Sequence, residues 1–313
     1  MQNDVKQMCL KHYDLYVDDI KLLQDGSDNV VYLIEAQKTN YVVRISKKQK
    51  NDDDFLFEAD IIRHLFEHDI PVPTPIYNTD HSFLTTYNGQ KIILFSFCKG
   101  HTAELDESHL PNALEAYNAG VVLAKIHNAT ENYMSAYKPS RVMNAELQRV
   151  IKAQKDFERK YEGGGEFVAQ VDNILAQSIN NTKQNCVIHN DFRIHNLLFK
   201  DQKISAVLDF DWSCYGCPLK DLAHTMVEWS YPDGAKQHCN EIMRQILKGY
   251  ESIRTVENKN DLIYWMRFSC LSDAATYFMD RLYPLTEVKP LRSYMYKKFL
   301  YFSFQNIAEL SEK

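Results

Sequence analysis

The stretch of residues 187–210 constrains this chain most. It reads Val187-Ile188-His189-Asn190-Asp191-Phe192-Arg193-Ile194-His195-Asn196, then two apolar runs, 197–199 and 204–208, separated by the polar residues 200–203. So short a polar link makes the two runs an antiparallel hairpin. In that register Asn196 and Asp209 emerge at the same open end, and Asp191 lies in the loop just before it. Two carboxylates and an amide oxygen then converge. These are hard oxygen ligands without a dedicated cage, which is how a protein holds Mg²⁺ that arrives with nucleotide phosphates. Phosphoryl transfer asks for the same parts: a carboxylate to orient or deprotonate a hydroxyl, and oxygen ligands to hold the metal against the phosphates. Asp191 is assigned as base, Asn196 as one metal ligand and Asp209 as the main one.

Flanking patterns divide the chain. Residues 30–36 and 41–45 are β-branched and aromatic runs joined by the polar stretch 37–40. Residues 83–86 and 91–97 flank Asn88-Gly89, the pair that suits a type I′ turn because both turn positions need φ > 0. Between these hairpins a helix is expected over about 54–68, ahead of Pro71, Pro73 and Pro75. From about Lys99 helical spacing takes over, first in Leu114, Tyr117, Val121 and Ala124 through to His127, then at 166–176, 221–229, 240–252, 262–282 and 294–310. The expected class is α+β, with a small β-rich lobe over 1–97 and a larger, mainly helical lobe over 98–313. A chain of 313 residues is comfortable for two lobes sharing a cleft.

Charge and composition narrow the partners. A net charge of −6 argues against nucleic acid, whose phosphates want clustered Lys and Arg. No window approaches the ~20 apolar residues of a membrane span, and residues 1–16 lack an apolar core of signal-peptide length. Seven cysteines, irregularly spaced, read as reduced thiols in a cytoplasm. Cys214 and Cys217, with His224, His238 and Cys239, lack the two close pairs of a structural zinc site.

The motifs His189-Asn190-Asp191-x4-Asn196, Leu208-Asp209-Phe210-Asp211 and Gly216-Cys217-Pro218-x2-Asp221-Leu222-Ala223 resemble those of the aminoglycoside phosphotransferase / choline kinase / type II homoserine kinase superfamily, over about residues 15–290. The resemblance implies a bilobal protein-kinase-like fold, ATP (GTP being also compatible) and Mg²⁺. It further implies transfer of the γ-phosphoryl group to a hydroxyl of a small molecule, such as an amino alcohol or a homoserine-, choline- or aminoglycoside-like acceptor. It implies Ser27 and Asn29 in a loop over the phosphates, although both equally suit an ordinary hairpin turn. It implies that Arg44 meets the phosphates where a protein kinase carries Lys, and that residues 94–100 form a hinge whose Ser96 and Cys98 offer backbone groups to adenine. Asn190 stands where the family usually has Gly, and Cys217 where it has Asp.

Glu58 falls inside the apolar stripe of Phe55, Ala59, Ile62 and Phe66. A carboxylate facing a core needs a partner. Arg44 is the natural one, with Lys47 or Lys48 as alternatives. Acceptor-pocket candidates near Asp191 are Arg193, Trp212, Glu228, Trp229, Tyr231, Asp273 and Arg281; Trp229 shares a stripe with Leu222 and Met226, which favours core packing. An amino-acid alcohol wants an Arg for its carboxylate, while an amine wants acids or aromatic faces, and both sets are present. His127 and His195 read as structural histidines, and His189 as a brace of the catalytic loop. Two other functional readings stand beside this one. A bacterial Ser/Thr protein kinase is disfavoured because only fifteen residues run from Asp209 to Ala223. A catalytically silent nucleotide-binding protein is disfavoured by Asp191, Asn196 and Asp209 themselves. The sequence specifies no oligomeric state.

Overall fold

Alternation after Asn29 buries Val30, Tyr32, Ile34 and Ala36 on one face of the N-terminal sheet, while the unbroken apolar run 92–95 is buried on both faces. The structure, a computed structural model, describes residues 2–26, 28–102, 111–177, 185–231, 238–257, 259–280, 290 and 293–303. It opens with α1 (Gln2–Tyr13), β1 (Val17–Asp25), β2 (Asn29–Ala36) and β3 (Thr39–Ser46). Then come α2 (Asp52–Glu67), β4 (Thr85–Tyr87) and β5 (Gln90–Ser96). The five strands pair antiparallel in the order β1-β2-β3-β5-β4. Asn88 and Gly89 both take positive φ, 49° and 76°, between β4 and β5. Gln37 and Lys38 do the same between β2 and β3, at 54° and 64°, without the Asn-Gly chemistry that announces such a turn.

One sheet face buries Ile34, Val43, Ile45 and Leu94 under Val5, Met8 and Cys9 of α1. The other joins Ile93 and Phe95 to Phe55, Ala59 and Ile62 of α2. Because successive strand residues point to opposite faces, Arg44 lies on the α2 side. The α2 stripe ends earlier than expected: Phe66 is 52% exposed, and Leu65 takes the inward place in the last turn. The sequence reading overlooks α1, although Val5, Met8, Cys9 and Tyr13 carry helical spacing.

The remainder is largely helical. It comprises α3 (Ala113–Thr130), α4 (Ala145–Lys152), α5 (Gln154–Lys160) and α6 (Gly164–Ala176), then β6 (Cys186–Ile188), β7 (Leu197–Lys200), β8 (Lys203–Val207) and β9 (Cys214–Gly216). It ends with α7 (Pro218–Ser230), α8 (Asn240–Glu251), α9 (Leu262–Met279) and α10 (Tyr294–Ser303). β6 pairs with β9 and β7 with β8, both antiparallel. Residues 281–282 and 304–310, expected to continue the last two helices, lie outside the described residues. α4 and α5 were not anticipated. Among the described residues no helix is long and apolar enough to cross a membrane. All seven cysteines are free thiols.

The buried face of α3 keeps the expected Ala124 and His127 but differs in its first half. Leu114 is 50% exposed, whereas Ala116, Ala119, Gly120 and Leu123 are buried. Small residues face inward because α8 passes very close. A Cβ on Gly120 would sit 2.0 Å from the Ile246 carbonyl oxygen, and one on Gly249 would sit 2.0 Å from that of Tyr117. Replacing Gly120 with Ala therefore forces the two helices apart. It should cost about 1–3 kcal/mol, read as a lower urea midpoint.

His238 supplies an acid-sensitive element. Its half-buried ring packs against Tyr231, Tyr301 and Phe302, and burial pushes its pKa down to about 4 from an ordinary 6.5. As pH falls through that window the unfolded chain takes up a proton that the folded chain refuses, so stability present above it is lost. Thermal melts should show a larger drop between about pH 7 and pH 5 for the native chain than for His238→Phe.

Candidate active site

The site is built on one buried carboxylate. Asp221, in the first turn of α7, is fully buried. Its Oδ2 accepts the His189 N–H and its Oδ1 the Asn190 N–H, each at 2.8 Å. Oδ2 also lies 3.2 Å from His127 Nε2, and His127 Nδ1 lies 2.8 Å from the Tyr250 hydroxyl. Burial pushes the Asp221 pKa up, but the His127 hydrogen bond and the charges around it outweigh this and hold it below the usual range. His189 adds a second tie. Its Nε2 donates to the Leu208 carbonyl at 2.9 Å, which leaves Nδ1 to accept the Asp191 N–H at 3.3 Å. Asn190 takes a left-handed backbone, φ 66°, the conformation that a Gly would meet without strain. Its side chain hydrogen-bonds the buried Lys220 and donates to the Trp212 carbonyl at 3.1 Å. Cys217, where an Asp would cap α7, makes no side-chain cap.

This loop delivers Asp191 to the mouth of the β7–β8 hairpin. Leu197 pairs with Val207, and the Leu208 N–H donates to the Asn196 carbonyl at 2.8 Å, so Asp209 follows directly where the ladder ends. Asn196 Nδ2 donates to the Asp191 backbone and carboxylate oxygens at 2.9 Å each, which leaves the amide oxygen as a candidate ligand. Asp209 is left-handed (φ 61°, ψ 62°). Its side chain opens to solvent, yet crowding by the surrounding protein pushes its carboxyl up to about 7. Arg44 opposes that shift, while Glu58, Asp211 and Asp191 add to it. A divalent cation relieves this repulsion, and an amide oxygen beside a carboxylate suits a hard ion such as Mg²⁺.

The sheet faces this cluster with a buried ion pair. Arg44 holds Glu58 through two parallel bonds, Nη1 to Oε1 at 2.6 Å and Nη2 to Oε2 at 2.5 Å. Lys47 and Lys48 instead reach back to Asp25 and Asp28, flanking the β1–β2 turn. Lys50 pairs with Asp211, tying the chain after β3 to the hairpin mouth. Asn29 lies at the start of β2, opposite Ser46. Ser27 lies outside the described residues. Ser96 is less available than expected, since its N–H and hydroxyl both bond the Thr74 backbone at 2.8 Å; its carbonyl is what it has to offer. Cys98 is half-buried in the following linker. A cavity of about 230 Å³ under α1, lined by Val5, Met8, Ile45 and Ile92, lies on the opposite sheet face from Arg44 and touches none of these groups.

Beyond Asp191 lies a mixed-charge end. Arg193 Nε is 2.7 Å from Asp191 Oδ1, and its other nitrogens are 3.3 Å from Asp273 and 3.6 Å from Glu228. His224 lies 3.3 Å from Asp273, and Lys298 lies 2.9 Å from Glu228. Donor atoms of His224, Glu228 and Asp273 lie within 4.8 Å of one another, but Arg193 and Lys298 already balance the two acids. Trp229 is not part of this lining: its indole is fully buried and donates to the Phe192 carbonyl at 3.1 Å, bracing the loop from below. Trp212 is half-buried with the Arg141 guanidinium 3.7 Å from its ring centre. Tyr231 lies 5.5 Å from the Lys298 ammonium, and Arg281 lies outside the described residues. His195 is exposed rather than enclosed. Sequence reasoning missed Lys298, although it shares the stripe of Met295, Phe299 and Phe302, the same signal that singled out Glu58.

A small antiparallel sheet facing a helical region, with acids and an amide at a hairpin mouth between them, defines a phosphotransferase of protein-kinase-like architecture. The chain belongs to the Phosphotransferase enzyme family, whose sequence profile matches residues 19–254. It is 26% identical over 267 residues to a homoserine kinase of Sinorhizobium fredii, covering 84% of this chain and 78% of that one. A Zymomonas mobilis homoserine kinase is 25% identical over 246 residues, 76% and 74% of the two chains. Among solved structures, an amicoumacin kinase in complex with AMP-PNP, Ca²⁺ and Ami superposes with a TM-score of 0.72 at 16% identity, covering 99% of this chain and 92% of that one. A microcompartment-associated aminopropanol kinase gives 0.61 at 19% identity, covering 97% and 94%. These structural likenesses establish the fold.

Replacing Asp221 with Ala leaves two loop N–H groups and a histidine unpartnered in the interior. Stability should fall by about 3–5 kcal/mol in chemical denaturation, and Asp221→Asn should recover part of it.

Proposed function

We propose that this phosphotransferase moves the γ-phosphoryl group of ATP, as its Mg²⁺ complex, to the hydroxyl of an amino-acid alcohol of the homoserine class. The observation that carries the reading is Arg193 set among Asp191, Glu228 and Asp273. Such an end offers a guanidinium to a carboxylate and acids to an ammonium within one acceptor's length. The homoserine kinases among its relatives support it. An amino alcohol without a carboxylate is the second reading, favoured by the surplus of acids. Arg193 would release Asp191 as the acceptor's own charges take its place.

In this reading the region 1–97 grips the nucleotide and the region 98–313 holds the acceptor. Arg44, kept straight by Glu58, meets the α- and β-phosphates. Ser27 and Asn29 cover them from the β1–β2 turn. The Ser96 carbonyl and the Cys98 backbone meet adenine. Asn196 and Asp209 would hold the Mg²⁺, whose charge would offset that of the phosphates. Asp191 orients the acceptor hydroxyl and takes its proton as the new O–P bond forms and the bond from the γ-phosphorus to the bridging oxygen breaks, with ADP leaving. Glu228 and Asp273 meet the ammonium, and Trp212 borders the pocket. A reaction that uses ATP, in a chain with seven unpaired thiols, belongs in the cytoplasm.

ATP consumption against homoserine, an aminopropanol, choline, an aminoglycoside and a generic protein substrate tests the acceptor. Homoserine should give the highest kcat/KM, and a protein substrate none. Asp191→Asn should lower kcat by about 10²–10⁴-fold while MgATP still binds within about threefold. Asp209→Asn should weaken MgATP binding itself, as calorimetric titration would read. Near-normal turnover in both variants would sink the role assignment.

A further inference from the structure

α2 carries a second polar stripe that nucleotide contact does not explain. Glu58 points at the sheet, where it meets Arg44. Asp60, two residues on and therefore about 200° around the helix, points the other way, and it is only 8% exposed. Its Oδ2 accepts the Tyr133 hydroxyl at 2.8 Å and the Ser135 hydroxyl at 2.7 Å. Its Oδ1 lies 3.0 Å from Arg63. Burial pushes the Asp60 pKa up, but hydrogen bonds from Ser135, Arg63 and Tyr133 hold it below the usual range, so it serves as a charged acceptor.

The same stripe continues along the helix. In the first turn, Asp54 accepts the Ser140 N–H at 2.7 Å and its hydroxyl at 2.9 Å, and Asp53 accepts the Lys138 N–H at 3.3 Å. One turn later the Phe57 ring meets Tyr215 edge-on at 5.5 Å, and the Tyr215 hydroxyl accepts the Ser135 N–H at 2.9 Å. In the last turn His64 Nε2 lies 2.8 Å from the Ala129 carbonyl oxygen, and its ring stacks on Tyr133 at 3.8 Å. Every turn of α2 is thus tied to residues 129–140, and Asp60 is the buried midpoint.

We propose that Asp60 is a positioning residue for the nucleotide: through Tyr133 and Ser135 it locks α2 against the helical region and so fixes Glu58 on Arg44 before substrate arrives. Turning α2 by one residue, about 100°, would withdraw Glu58 from Arg44, and the Asp60 contacts oppose that turn. The inference rests on the reading of Arg44 as a phosphate contact, and it assigns Asp60 no contact with either substrate.

The test compares Asp60→Ala, Asp60→Asn and the double variant Tyr133→Phe with Ser135→Ala, each checked for cooperative unfolding. MgATP affinity is measured by calorimetric titration, which needs no acceptor. KM for ATP and for the acceptor follow wherever turnover is found. Asp60→Ala and the double variant should each weaken MgATP about tenfold and leave the acceptor KM within about twofold. Hydrogen exchange of α2 amides should quicken, and Asp60→Asn should recover part of the affinity because its carbonyl still accepts the Ser135 hydroxyl. If Asp60→Ala does not fold, the double variant decides. Unchanged MgATP affinity, or equal losses for ATP and acceptor, in folded variants overturns the proposal. A native chain that binds MgATP but phosphorylates no acceptor fails the functional reading and leaves this one to the titration.

Discussion

The burial of Asp221 is the condition on which the rest of this molecule depends. A carboxylate with no access to water is tolerated only when every lone pair has a donor. Here the donors are the backbone of His189 and Asn190 and the ring of His127. The requirement runs both ways: the loop that satisfies the acid is fixed by it. His189, fixed in turn, reaches the Leu208 carbonyl and so joins the loop to the far strand of the β7–β8 hairpin. Asp191, Asn196 and Asp209 therefore sit on one braced frame.

The sheet reaches that frame through charge as well as through the continuous apolar core that joins Ile93, Phe95 and α2 to the helical region. The Arg44–Glu58 pair lies close enough to raise and lower the Asp209 carboxyl, and Lys50 grips Asp211 two residues further on. Arg44 in turn is held charged by Glu58, Asp211 and Asp209, against the burial that disfavours its charge. Groups that share a field in this way constrain one another's position as strongly as packing does. Gly100 adds a steric register: a Cβ there would meet the Ser205 hydroxyl oxygen at 2.4 Å, so the linker leaving the sheet lies directly on the hairpin.

Much of this was legible in the sequence because it rests on local rules. The β7–β8 pairing follows from the short polar link 200–203 between apolar runs, and Glu58 betrayed itself as an acid on an apolar face. What escaped notice had weaker local signals. The inward face of α3 is made of Ala and Gly, which a search for large apolar residues passes over, and the reason for small residues, the α8 backbone, is remote in sequence. The turn within residues 37–40 is expected from its polarity, but the left-handed backbone of Gln37 and Lys38 is imposed by strand pairing against residue preference. Asp60 gave no cue, since the two hydroxyls it accepts, on Tyr133 and Ser135, lie more than seventy residues away. Trp229 was ambiguous because an indole suits a core and a pocket equally; only the Phe192 carbonyl decided it.

The mixed-charge end beside Asp191, proposed above to receive the acceptor, draws on a part of the chain that the family profile does not reach. The profile stops at residue 254, yet Asp273 on α9 and Lys298 on α10 stand beside Arg193 and Glu228. In the proposed reading, the residues that meet the acceptor thus come partly from within that stretch, Arg193 and Glu228, and partly from beyond it. If that proposal holds, a substitution on α9 or α10 re-charges this end while Arg44, Asn196 and Asp209 keep their places, so one scaffold can change clientele without relearning its chemistry.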